Sequence, residues 1–139
     1  MNKYEECAEE FEKLISDFGE KPDPSYSESD TRAKIIDRII HAVLGWPETN
    51  NFVLREEHVH EGYLDYRLHA GNQALILEAK RGGHAFELPK GIRFGVHLSV
   101  KNLLHKQADL KLMYDQVTGY AHERGVQFCA LSNLSLIHI

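Results

Sequence analysis

Two carboxylates and a lysine stand out in the stretch GYLDYRLHAGNQALILEAKR, residues 62–81: Asp65, Glu78 and Lys80 sit in segments that otherwise read as buried β-strands. Gly71-Asn72 is a good two-residue hairpin turn, because glycine supplies the positive φ needed at its first position. Pairing back from that turn matches residues whose numbers sum to a constant and sets Asp65 opposite Glu78. Like charges directly opposite are destabilising, so the pair calls for a compensating cation, and a divalent metal is the simplest one. Alternation along the third strand puts Ile76, Glu78 and Lys80 on one face and Leu75, Leu77 and Ala79 on the other. Spacing alone leaves open a plain salt bridge from Lys80 to either acid.

The helices that must flank this hairpin carry further polar groups on apolar stripes. Glu28 precedes Arg32, Ile35 and Ile39 by helical intervals, so it lies on or near the core-facing stripe. Gln116 and Tyr120, at i and i+4, fall among Leu112, Met113 and Val117, on what reads as a buried stripe. Taken alone, these are also consistent with a satisfied core glutamine and a tyrosine whose hydroxyl reaches water.

The elements follow from periodicity. Tyr4, Cys7, Phe11, Leu14, Ile15 and Phe18 predict an amphipathic helix over 3–18. A Pro-containing linker follows, and Ser27 with Asp30 forms a capping-box-like start for a second helix that Gly45 stops. Strands are predicted over 51–59, 62–70 and 73–80, then an irregular insertion over 82–104 with room for one short element. A long helix over 105–124 and a buried strand over 126–133 complete the order α–α–β–β–β–α–β, which is an α/β pattern: a meander followed by a helical crossover.

In their order along the chain, Glu28, Asp65, Glu78-Ala79-Lys80 and Gln116-x-x-x-Tyr120 resemble the PD-(D/E)xK nuclease superfamily, and most closely the N-terminal nuclease domain of type I restriction enzyme R subunits. The matching text is SESDTRAKIIDRIIHAVLGW, EGYLDYRL, ALILEAKR, YDQVTGYAHERG and FCALSN, spanning roughly residues 27–133. Leu64 stands where the family motif usually has proline, a departure the family tolerates. The resemblance implies a restriction-endonuclease-like core, α-βββ-α-β, whose mixed sheet is flanked by helices and preceded by an extra helix and linker over 1–26. It implies Mg²⁺, with Mn²⁺ as a substitute, held by Asp65, Glu78 and the carbonyl of Ala79. Glu28, Lys80, Gln116 and Tyr120 complete the implied catalytic set. The implied reaction is phosphodiester hydrolysis in DNA, with a non-catalytic DNA-binding or regulatory module as the rival.

Composition narrows the surroundings. The 139 residues suit one domain, and the net charge of −5 does not advertise nucleic-acid binding. Charge is unevenly spread, though: Lys80, Arg81, Lys90, Arg93, Lys101 and Lys106 face only Glu87. From Arg81 onward these cations read either as a solvated loop or as a phosphate-contacting surface. Cys7 and Cys129 lie among apolar neighbours and read as buried reduced thiols; His58-x-His60 lacks further ligands at zinc spacing. The acidic, amphipathic N-terminus is unlike a signal peptide, and no apolar run is long enough for a membrane span, so a cytoplasmic protein is expected. The last six residues, LSLIHI (134–139), read as an adapter-derived tail. The native sequence is therefore expected to run on, and the resemblance implies that it continues into a longer restriction or defence protein carrying a motor or signalling ATPase.

Overall fold

The computed structural model describes residues 2–19, 23, 25–60, 62–80, 97 and 99–132. Helix α1 (Lys3–Phe18) is capped by Asn2 and Glu5, which exchange side-chain and backbone hydrogen bonds. Helix α2 (Glu28–Thr31) starts on the same device, with Ser27 and Asp30 as the reciprocal pair. Strands β1 (Val53–Val59), β2 (Gly62–Ala70) and β3 (Gln73–Ala79) form an antiparallel meander. Helices α3 (Val100–Lys106) and α4 (Ala108–Glu123) lead to β4 (Phe128–Ser132), which pairs parallel to β3. The result is a mixed α/β fold with a four-stranded sheet in the order β1-β2-β3-β4 and helices on its faces. No described helix is long and apolar enough to cross a membrane.

Two apolar clusters hold the helices to the sheet. One joins Leu14 of α1 and Ile35, Ile36 and Ile40 of the second helical segment to Val53, Tyr66, Leu68 and Ala79. The other joins Val117, Tyr120 and Ala121 of α4 to Val59, Leu64 and Ile76. Alternation along β3 therefore sorts as expected, with Ile76 toward α4 and Leu75, Leu77 and Ala79 toward the N-terminal helices. The hairpin turn holds too: Gly71 takes φ +61° and Ala70 pairs with Gln73.

Alternation fails in β1 and β2. Val53 and Val59 have the same parity but belong to opposite clusters, and so do Tyr66 and Leu64. The β1–β2 register passes from Arg55↔Tyr66 to Glu57↔Leu64, skipping Glu56 and Asp65, and Glu56 adopts φ +51°. Both strands thus change face at one place, and Asp65 sits there.

Five expectations need correction. The second helix does not continue as an α-helix. After Thr31 it runs through two π-helical turns, Arg32–Ile36 and Ile39–Val43, in which the Asp37 and Leu44 N–H groups bond five residues back. The wider turn suits the IIDRII run, because it brings the adjacent pair Ile35 and Ile36, as well as Ile40, into the core. The helix expected over 105–124 is broken at Gln107, whose extended backbone separates α3 from α4. The fourth strand is shorter than expected and not buried: as the outer strand it has one neighbour, leaving Phe128 51% exposed and Cys129 exposed. Cys7 is only half-buried, and Leu112 is on the outer face of α4.

Candidate active site

At the place where β1 and β2 change face, one open cleft of about 480 Å³ is lined by Glu28, Arg32, Glu56, Gly62, Tyr63, Asp65, Glu78, Lys80, Gln116 and Tyr120. It receives residues from both helical layers. All six side chains that the sequence singles out as catalytic are among them, although they come from four separated segments.

Asp65 is buried, and both of its oxygens are engaged. Oδ1 accepts from Arg32 Nη1 at 2.6 Å, and Oδ2 accepts from the backbone N–H of Ala79 at 2.8 Å. The second bond ties Asp65 to β3 beside Glu78, and continuing the Tyr66↔Leu77 register sets the two acids opposite each other. Glu78 is 2% exposed; its Oε1 accepts from Lys80 Nζ at 2.7 Å, while its Oε2 is buried with no hydrogen-bond partner. Burial pushes the Glu78 carboxyl above its usual range. The Lys80 hydrogen bond opposes that shift and the nearby Asp65 charge adds to it. Burial alone would lower the Lys80 ammonium. Glu78, with Glu28 and Asp65 beyond it, outweighs that and holds Lys80 above its ordinary value.

The cations that the opposed acids call for are thus supplied in part by the chain itself. Lys80 neutralises Glu78 and Arg32 neutralises Asp65. Sequence reasoning missed Arg32 as a site residue, although its place one turn after Glu28 was visible. Glu56, which accepts from Arg32 Nη2 at 2.9 Å, had no sequence signal, because its approach depends on the positive φ at the kink.

Glu28 is the first residue of α2 and stands exposed at the rim, not in the core-facing position expected of it. Gln116 donates from Nε2 to Tyr120 Oη at 2.7 Å, so the two form one hydrogen-bonded unit on the α4 wall. Ala79, expected to lend its carbonyl, is buried. Lys101 and Lys106 are exposed on α3 and do not line the cleft; Arg81, Lys90, Arg93 and the tail 134–139 lie outside the described residues. His58 packs edge-to-face on Tyr63, with ring centroids 5.1 Å apart.

The donor set fits a hard divalent cation of the Mg²⁺ type. The free Oε2 of Glu78 is a buried anionic oxygen that lacks a partner, and the ligands on offer are carboxylate and carbonyl oxygens. Among the described residues no group of three Asp, Glu, His or Cys side chains could hold a metal ion. Mg²⁺ is commonly held by one or two carboxylates, with water and substrate phosphate filling the remaining positions. No protein-family model, no curated protein and no solved structure matches the chain.

Proposed function

We propose that this chain is a metal-dependent DNA endonuclease domain with a restriction-endonuclease-like core, acting in the cytoplasm within a larger restriction or defence protein. The observation that carries the reading is the meeting of Glu28, Asp65, Glu78, Lys80, Gln116 and Tyr120 in one cleft. A buried carboxylate oxygen without a partner at its centre adds weight. Decorative polar residues on four segments have no reason to converge.

Asp65, Glu78 and the Ala79 carbonyl would hold Mg²⁺ or Mn²⁺. Bound there, the ion would supply Lewis-acid activation of water and neutralise charge on the phosphoryl oxygens. Lys80, whose ammonium the neighbouring acids favour, is suited to offsetting negative charge on the phosphorane-like transition state and to orienting a water through its N–H groups. The Gln116–Tyr120 unit offers an amide and a phenol on the opposite wall, both able to position a phosphate oxygen or a water. Glu28 at the rim adds a third carboxylate that acts through water.

Nicking of supercoiled plasmid with Mg²⁺ or Mn²⁺, wild type beside Lys80→Ala, tests the reading. Nicking by wild type that disappears in the variant supports it. Metal binding without nicking would place the active unit in a longer protein that includes its ATPase partner domains. A second reading, a non-catalytic DNA-binding or regulatory module of an NTPase, is favoured by one observation: Arg32 and Lys80 already neutralise both acids. A protein that neither binds metal nor cuts would establish that reading instead.

A further inference from the structure

We propose that Arg32 and the divalent cation compete for Asp65, so that the Arg32–Asp65 ion pair gates metal binding; this rests on the metal site of the nuclease reading. Of the four carboxylate oxygens that Asp65 and Glu78 present, three accept well-formed hydrogen bonds, whereas Glu78 Oε2 accepts none, with the Asp65 backbone N–H the further donor near that carboxyl. A cation that uses both acids must gain an Asp65 oxygen. Oδ2 is bound to the β3 backbone, while Oδ1 is held by a side chain that can move. A guanidinium 2.6 Å from Oδ1 would also repel a doubly charged ion strongly in a site where Asp65 and Arg32 side chains are only 8% and 18% exposed.

Arg32 is built to let go. Its two terminal nitrogens are anchored separately: Nη1 on Asp65, Nη2 on Glu56 at 2.9 Å and on Ser29 Oγ at 3.5 Å. Nη1 can leave Asp65 while Nη2 keeps its hold on Glu56, which is itself largely solvent-exposed. Room exists on the far side, where a second hollow of about 270 Å³ is lined by Ser29, Ala33, Asp37, Arg55 and Tyr66 and shares Arg32, Glu56 and Asp65 with the first cleft. Asp37 adds negative charge there, although Arg55 and Tyr66 already bond to it. The guanidinium therefore has an alternative position near two carboxylates, Glu56 and Asp37, in place of Asp65.

The consequence is a lowered apparent metal affinity, reduced by the fraction of time that Asp65 is released. Calorimetric titration of EDTA-treated protein with Mn²⁺ reads this directly, with wild type, Arg32→Met and Arg32→Lys side by side. Arg32→Met is expected to bind Mn²⁺ about tenfold more tightly than wild type, and Arg32→Lys to stay close to wild type. Equal or weaker binding by Arg32→Met, with wild type binding normally, overturns the gate and leaves the metal site standing. No binding by any of the three overturns both. Should Arg32→Met fail to fold, wild type answers by NMR. The Arg32 Nε–H signal, assigned by its loss in Arg32→Lys, should shift on addition of Mg²⁺. A signal unmoved at a Mg²⁺ concentration that saturates binding overturns the gate.

Discussion

Asp65 makes one ion pair and one backbone hydrogen bond, and that decides how the protein should respond to losing its charge. Two bare opposed carboxylates would be relieved by Asp65→Asn, and the melting temperature would rise. With Arg32 and the Ala79 N–H both bonded to Asp65, the same change removes a partly buried charge pair and should cost about 1–3 kcal/mol, less whatever repulsion from Glu78 it relieves. Thermal denaturation in EDTA is the check, and a higher melting temperature for Asp65→Asn would show that repulsion dominates. Tyr66 offers a second test at this scale. Burial, then the charge and hydrogen bond of Asp37, push its phenol well above its ordinary value of 10.0. A folded-state pKa raised above the unfolded one means that the contribution is complete below pH 10 and fades as pH climbs past it. Wild type should therefore be more stable than Tyr66→Phe by about 1 kcal/mol near neutrality, and the gap should close in alkaline solution. Urea unfolding of the pair at neutral pH and at about pH 11 would read it.

At the scale of elements, irregular backbone serves the site. The π-helical turn beginning at Arg32 and the kink at Glu56 and Asp65 are neighbours, joined by the hydrogen bonds of Arg32 to both acids. A regular helix and regular strands would bury the isoleucines less completely and leave Asp65 committed to one face of the sheet. Helix α4 shows the limit of stripe reasoning. Gln116, Val117, Tyr120 and Ala121 turn toward the sheet, but Leu112 is 63% exposed because it lies on the face of the helix opposite Leu110, which is buried in the first turn. Val117→Ala should cost about 1–3 kcal/mol and Leu112→Ala less than about 0.5 kcal/mol. Equal losses in chemical denaturation would contradict this placement of α4.

For the whole molecule, the sheet is the device that brings distant segments together. The β3–β4 parallel pairing requires the chain to cross over, and α4 in that crossover lays Gln116 and Tyr120 against the end of a hairpin formed some forty residues earlier. The nucleic-acid contact that the proposed function requires is tested at this scale, since a net charge of −5 offers no general attraction to DNA and any grip would have to be local. If exposed Lys101 and Lys106 on α3 contact phosphates, replacing each with alanine should weaken DNA binding alike for all sequences. Each change should also lower the log–log salt slope by about 1. Fluorescence anisotropy across a salt series would show it; an unchanged slope removes α3 from the interface.

Much of this was legible in the linear chain, because local chemistry acts over a few residues. Gly71 and its neighbour set the hairpin and hence the register, and Ser27 with Asp30 set the start of α2. The parity of β3 placed Glu78 with Ile76, and helical spacing joined Gln116 to Tyr120. Periodicity presumes regular elements, however, so it was blind where packing bends them. The π turns, the face change at Asp65 and the break at Gln107 answer to tertiary contact, and no proline or glycine marks them. What only the folded chain decided was which cations neutralise the two acids. An ion pair between Arg32 and Asp65 spans 33 positions, and its partner Glu56 reaches it through one left-handed residue. Sequence could state that buried like charges need compensation; only three-dimensional proximity, with its strong dependence of Coulomb energy on distance and burial, could say what provides it.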